Sequence, residues 1–413
     1  MEKIIYHIDV NSAFLSWEAS YRINILGDSL DLREIPSVIG GNEESRHGIV
    51  LAKSIPAKTF CIQTGEPLVS ARYKCPNLVV VPPNYPMYID ASQALMALLS
   101  DYSSDLEQYS IDEAFLDMTG TSKIFGSPIS AAHLIKDRVK NELGFTVNIG
   151  ISNNKLLAKM ASDFKKPDMV HTLFPHEIPK KMWPLPISDL FFVGKATEKK
   201  LQAIGLSTIG ELAHTDKSIL YSKMKSHGNV IWEFANGIDT QMSKFINPPV
   251  TKGYGNSMTI PIDVSDRQTA KQVLLSLVET IASRIRADKA LISVVSVNIV
   301  YSSFEYCSKQ TTLNTNTDNT NTIYDAACSL FDAQWNSSPI RQLGVHTGKV
   351  TSDCCHQYSL FDNPQDHGFD KAIDEIRTEF GEDAIMRASF INSPLEHMAG
   401  GLDRAKRTGI TKY

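Results

Sequence analysis

Two adjacent carboxylates, Asp112 and Glu113, sit inside the otherwise apolar run Tyr109-Ser110-Ile111-Asp112-Glu113-Ala114-Phe115-Leu116-Asp117. Flanked so closely by apolar residues, such a pair suffers desolvation and mutual repulsion unless a divalent cation holds the charges together. A third acid ends another β-rich run near the start of the chain, Ile4-Ile5-Tyr6-His7-Ile8-Asp9-Val10, and Asn11-Ser12-Ala13-Phe14 follows it. Brought together from neighbouring strands, Asp9, Asp112 and Glu113 could chelate two hard cations such as Mg²⁺, which prefers oxygen ligands. Two such ions roughly 3.5–4 Å apart form the clamp used in phosphoryl transfer. Each fragment alone specifies little, because an Asp at a strand end is more often a cap or a turn residue.

The length of 413 residues exceeds what one core usually holds and implies two to four domains. No apolar run is long enough to span a bilayer, and the N-terminus lacks the pattern of a secretory signal, so a cytoplasmic protein is expected. Cys61, Cys75, Cys307, Cys328, Cys354 and Cys355 form no Cys-x-x-Cys pair, which points to reduced thiols and argues against a zinc site or a disulfide scaffold. A net charge of −5 is unlike the usual basic footprint of a nucleic-acid binder. Residues 165–243 and 244–350, however, each hold ten basic against eight acidic groups. A grip on phosphate would therefore come from local clusters such as Lys165-Lys166, Lys180-Lys181 and Lys195 with Lys199-Lys200. For any single pair, solvated surface lysines are the simpler reading.

The elements that would position the acids follow from periodicity. Ile129, Ala132, Ile135, Val139 and Leu143 recur at helical spacing until Gly144, after which Phe145, Val147, Ile149 and Ile151 alternate as a strand. A second helix is expected over 155–164, so the first part reads as an α+β core with helices on a sheet. Residues 30–78, with Gly40-Gly41, Pro56, Gly65 and Pro76, read as a small inserted lobe. Prolines at 167, 175, 179, 184 and 186 close this core. Beyond them Val193-Gly194-Lys195 resembles the turn of a helix-hairpin-helix, in which glycine admits a phosphate and the helix N-terminus and lysine attract it. A plain α-hairpin fits that stretch equally well. Residues 252–350 read as a βαββαβ unit: a strand over 254–261, a helix through Ala270 to Ile285, strands over 292–301 and 308–313, a helix over 326–335 and a strand over 343–350. The polar tract Asn314 to Thr322 is expected to be a loop and helix cap.

Taken in order, these features resemble a Y-family translesion DNA polymerase over nearly the whole chain and, within that family, the bacterial polymerase IV and polymerase V catalytic-subunit group. Residues 9–14 resemble its first metal motif, Tyr109 to Asp117 its Ser-Ile-Asp-Glu-Ala motif, and Asn154-Lys155 through Lys165-Lys166-Pro167 its palm helix. The resemblance implies a right-hand architecture. It has a ferredoxin-like palm (1–29 and 79–167), small fingers (30–78), a helix-hairpin-helix thumb (168–243), a βαββαβ little finger (244–350) and a clamp-binding peptide with C-terminal tail (351–413).

The resemblance also implies roles. Asp9, Asp112 and Glu113, with the Val10 carbonyl, would bind two Mg²⁺ ions, with Mn²⁺ as a substitute. Ser12, Ala13, Phe14, Lys58 and Lys166 would bind the dNTP, with Phe14 as the steric gate against a ribose 2′-hydroxyl. Val193, Gly194 and Lys195 would bind primer-template DNA. Two departures stand out: Ile55 and Lys58 occupy a fingers segment where relatives carry Tyr and Arg, and Asn11 stands where some have a second acid. Lysine offers a point charge in place of arginine's planar fork, which makes Lys58 the weaker nucleotide ligand and Lys166 the stronger. In Gln357-Tyr358-Ser359-Leu360-Phe361, residues Gln357, Ser359, Leu360 and Phe361 match the peptide that docks bacterial polymerases on the sliding clamp. An amphipathic helix is expected over 369–380. A monomer without membrane contact is expected. Two rivals are a catalytically inactive clamp-associated repair scaffold, against which the intact acids argue, and a nucleotide cyclase, which would need neither hairpin nor clamp peptide.

Overall fold

The computed structural model describes residues 3–41, 48–239, 251–352, 364–391, 395, 397 and 398. The chain divides into two compact units, the first built from the described residues up to 41 and from 49 to 239, the second from those after 249.

In the first unit a five-stranded sheet runs in the order β5 (Leu106–Gln108), β6 (Glu113–Asp117), β1 (Ile5–Val10), β7 (Val147–Ser152), β8 (Val170–Thr172). The central strand β1 pairs antiparallel with both β6 and β7 and is buried along its whole length. Side chains alternate across a strand. Tyr6, Ile8 and Val10 therefore enter one core with Ala114 and Leu116 of β6, packed by the helices Tyr85–Ser100 and Pro128–Leu143. The second of these helices ends at Gly144, whose φ of 76° is the left-handed conformation a helix stop needs. Ile5 and Phe115 take the opposite face, against Ala158 of the helix Lys155–Ser162.

Glycine is required where that helix crosses the sheet: a Cβ on Gly150 would stand 2.0 Å from the Ala158 carbonyl oxygen. Leu156, Leu157 and Met160, on the same helix, continue into a helical core with Leu173, Leu190, Leu212 and Phe234. A small lobe has its own sheet, β3 (Val50–Lys53), β2 (Ser37–Gly40), β4 (Val79–Val81), and its own core around Val38, Val50, Ile62 and Leu68.

The second unit is an antiparallel sheet in the order β11 (Tyr306–Thr317), β10 (Ala290–Tyr301), β12 (Ile340–Gly348), β9 (Gly255–Val264), with β13 (Thr351–Ser352) on the end of β10. Helices Arg267–Ala287 and Thr320–Asp332 pack on it, which gives the βαββαβ order. Asn314 to Thr317 correct the expected loop: they extend β11, because β10 is long enough to pair Ile292 with Thr317. The helix cap does fall in the tract, where the Asn319 side chain accepts from the Thr322 N–H.

The C-terminal helix Pro364–Phe380 folds back on this unit with its charged face inward. Asp374 and Asp370 bond Arg286 at 2.6 and 3.3 Å, and Arg377 reaches the buried Glu279 at 2.9 Å. Phe369, Ile376 and Phe380 lie exposed on the other side. Amphipathic helices ordinarily bury the apolar stripe; here buried ion pairs define the inner face. No helix among the described residues is long and apolar enough to cross a membrane.

Candidate active site

Asp9 on β1 lies directly opposite Glu113 on β6, on the face shared with His7 and covered by the helix Lys155–Ser162. Asp112 belongs to the turn entering β6, and its carbonyl accepts from the Val10 N–H at 3.1 Å. The pairing expected from two separate sequence runs thus brings three carboxylates to one end of two adjacent strands.

Each acid is held by the fold. Lys166 Nζ donates to Asp9 Oδ2 at 2.7 Å and to Asp163 Oδ1 at 2.8 Å. The Lys159 ammonium donates to Glu113 Oε1. Ser110 Oγ donates to Asp112 Oδ1 at 2.7 Å and lies 3.4 Å from Glu113 Oε2. Burial pushes the Asp9 carboxyl up to about 6; Lys166 opposes the shift, while Glu113 and Asp163 add to it. Burial works against the charge of Lys166, yet Asp9 and Asp163 hold its pKa above the ordinary lysine value. Burial, with Lys159 and Lys166, keeps His7 far below the ordinary histidine range and therefore neutral.

Asp9 and Asp112 open onto a cavity of about 530 Å³, lined also by Val10, Ser12, Ala13, Phe14, Lys58 and Lys166. Ser12, at φ 51°, turns the chain from β1 into the helix Ala13–Tyr21, and its side chain does not cap that helix. The first turn of the helix therefore has no side-chain cap, and Ser12, Ala13 and Phe14 line the cavity, an arrangement suited to an anion. The Phe14 ring stacks on Tyr88 at 4.7 Å with 9° between planes and stands edge-on to Tyr85 at 6.1 Å, which fixes it as part of the wall. Lys58 approaches from the helix Ile55–Thr59, whose Ser54 cap accepts from the Ala57 N–H at 3.1 Å.

Asn11 has a structural task. Its amide bonds Asn148 at 3.1 Å while its carbonyl accepts from Thr146 and from the Asp168 N–H. Asn148 in turn donates to the Lys165 carbonyl at 2.8 Å. The segment bearing Lys166 is thus pinned on both sides of that lysine; an acid at position 11 could accept from Thr146 and Asp168 but has no N–H to give Asn148.

Val193, Gly194 and Lys195 lie elsewhere in the first unit, before and at the start of the helix Lys195–Gln202. Val193 packs in the helical core and Gly194 caps the helix by backbone alone, with open space where a Cβ would sit. Gln357, Ser359, Leu360 and Phe361 lie outside the described residues.

Four site residues escape sequence reasoning: His7, Lys159, Lys53 and Arg33. Lys53 and Arg33 line the cavity, Lys53 tied to the Ile62 carbonyl at 2.5 Å and Arg33 to Asp31 and the Gly144 carbonyl. Nothing in their local sequence marks them. His7 lies on the strand face of Asp9, which period-two alternation alone could have flagged.

Among the described residues no three carboxylate, imidazole or thiol groups already stand as a ligand cage. The donors nonetheless suit a hard divalent cation: three carboxylates and a backbone carbonyl, all oxygen. Two of the acids face ammonium groups, the counter-charge that a cation would otherwise supply.

Residues 8–163 match the impB/mucB/samB family, residues 251–360 its C-terminal domain, and residues 175–206 the IMS family HHH motif. The DNA polymerase IV of Clostridium acetobutylicum is 46% identical over 94% of this chain and 98% of its own length. The DNA polymerase IV 2 of Bacillus subtilis is 34% identical over 95% of each chain. Among solved structures, a Y-family DNA polymerase chimera shares the fold at a TM-score of 0.71, covering 84% of this chain and 99% of its own at 20% identity. This agreement extends across both units and includes the hairpin of the first, and the chain belongs to the impB/mucB/samB family of Y-family DNA polymerases.

Proposed function

We infer that the protein is a template-directed DNA polymerase of the translesion type, adding dNTPs to a primer 3′-end during damage bypass. The observation that carries this reading is the joining of Asp9 and Asp112, with Glu113 paired opposite Asp9, beside a cavity that also receives a helix N-terminus, three lysines and an aromatic wall. Asp9, Asp112, Glu113 and the Val10 carbonyl would hold two Mg²⁺ ions. Bound there, the ions would supply Lewis-acid activation of the primer hydroxyl and neutralise charge on the triphosphate and leaving pyrophosphate.

The chain's own residues do the positioning. The N–H groups at Ser12, Ala13 and Phe14, with Lys58 and Lys166, bind the triphosphate anion. Lys166 then exchanges part of its contact with Asp9 for phosphate. Phe14, held by its stack on Tyr88, leaves no room for a 2′-hydroxyl. Val193, Gly194 and Lys195 hold the DNA backbone, which reads no sequence. Gln357, Ser359, Leu360 and Phe361 dock the enzyme on the sliding clamp, and the protein works as a cytoplasmic monomer.

Catalysis on this account is positioning and electrostatics. Primer extension with Mg²⁺ and dNTPs tests it, with Asp112→Ala as control. Template-dependent incorporation lost in the variant is expected. An equal absence of incorporation in both proteins would favour the inactive-scaffold alternative.

A further inference from the structure

Lys166 lines the cavity, whereas Lys159 reaches Glu113 from inside the fold, with its side chain 8% exposed. Its ammonium donates to Glu113 Oε1 and lies 5.1 Å from the centre of the Tyr109 ring and 5.4 Å from that of Phe191. Aromatic faces attract a cation without offering it a competing proton acceptor. Tyr109 belongs to the run that carries Asp112 and Glu113. Phe191 precedes the hairpin residue Val193 by two positions, and its N–H is anchored on Met160 Sδ at 3.4 Å, beside Lys159. The ammonium is therefore enclosed by one carboxylate and two rings from separate parts of the unit.

His7 needs the same charge. Ser162 Oγ donates its single proton to the Lys159 carbonyl at 2.8 Å, so at 2.8 Å it must accept from His7 Nδ1. That assigns the tautomer from the hydrogen-bond network and leaves the lone pair of Nε2 facing Glu113 Oε1 at 3.8 Å, buried and without a hydrogen-bond partner. A lone pair beside a carboxylate is repulsive, and the nearby Lys159 charge offsets both.

We propose that Lys159 is a positioning residue of the polymerase site: a resident counter-cation that fixes Glu113 through Oε1 and whose charge an incoming divalent ion must work against. It therefore sets the ion concentration at which the site fills. The inference rests on Asp9, Asp112 and Glu113 being the metal-binding carboxylates.

Mn²⁺ titrated into the full-length protein, with bound ion read from loss of the free-ion electron paramagnetic resonance signal, tests it without recourse to activity. Lys159→Met should lower the half-saturating Mn²⁺ concentration about tenfold, equivalent to about 1.4 kcal/mol. Lys159→Arg, which keeps the charge, should stay within about twofold of the wild type. Lys159→Gln gives a second neutral variant should the methionine protein fail to fold by circular dichroism. An unchanged or raised half-saturation in the neutral variants overturns the proposal, even with a lowered thermal midpoint, because a packing role alone would lower that midpoint with and without Mn²⁺. An arginine variant displaced as far as the methionine one overturns it too. Asp112→Asn separates the two levels: it should abolish the saturable binding, and binding equal to wild type would refute the carboxylate assignment beneath the proposal.

Discussion

Replacing Asp9 with Asn should abolish primer extension while making the protein more stable at neutral pH. Asp9 is buried, and its carboxyl is pushed up to about 6 from an ordinary 3.8. Between those values the folded chain holds a proton that the unfolded chain has released. The group's contribution to stability is therefore fully present below 3.8 and is lost as pH rises through 6. A shift of about two units corresponds to about 3 kcal/mol. Asn is neutral at every pH and keeps the shape, so it escapes that loss. The raised value is already net of the Lys166 contact, which opposes the shift, so losing that contact takes nothing further from the gain. The net gain expected above pH 7 is about 3 kcal/mol. Denaturant unfolding in EDTA, compared at pH 5 and pH 7.5, reads it: at the lower pH, where the unfolded chain has already released its proton, the variant's advantage should be about half of that at the higher. Added Mg²⁺ should restore part of the difference to the wild type and none to the variant. An Asp9→Asn protein no more stable at pH 7.5, with the wild-type pH dependence, would refute the view that this carboxylate is held in the fold at a cost.

Phe14→Ala should raise ribonucleotide incorporation relative to deoxyribonucleotide incorporation, since it removes the ring that Tyr88 holds against the cavity; an unchanged ratio of kcat/KM values would dismiss the gate. Leu360→Ala with Phe361→Ala should weaken binding to the sliding clamp in surface plasmon resonance and leave clamp-free synthesis intact, whereas retained affinity would reject the docking role. Gly150→Ala should destabilise the first unit by about 3 kcal/mol or more and reduce activity with it, because the new Cβ meets the Ala158 carbonyl oxygen at 2.0 Å, and a wild-type thermal midpoint would contradict the packing account.

The three carboxylates were legible because a strand has a period of two and because charge inside an apolar run needs a reason. Asp9 and Glu113 face each other across β1 and β6, as adjacent strands ending in acids would place them. Lys159 and His7 were not legible, since their roles depend on how the helix Lys155–Ser162 crosses the sheet at Gly150, a relation with no local spacing. The C-terminal helix shows the same limit from the other side. Its apolar stripe is visible at Phe369, Ile376 and Phe380, but the face it buries was decided by Arg286 and Glu279, far away in sequence on the helix Arg267–Ala287. Where burial is driven by apolar area, pattern predicts facing; where a buried charge awaits an opposite one, removing one partner is strongly destabilising and the charges decide instead. The site follows the second rule. Asp9 and Glu113 are retained in an apolar sheet against desolvation, with ammonium groups supplied from the helix Lys155–Ser162 and from the segment after it. That arrangement has a physical rationale if the carboxylates must be placed before their cation arrives.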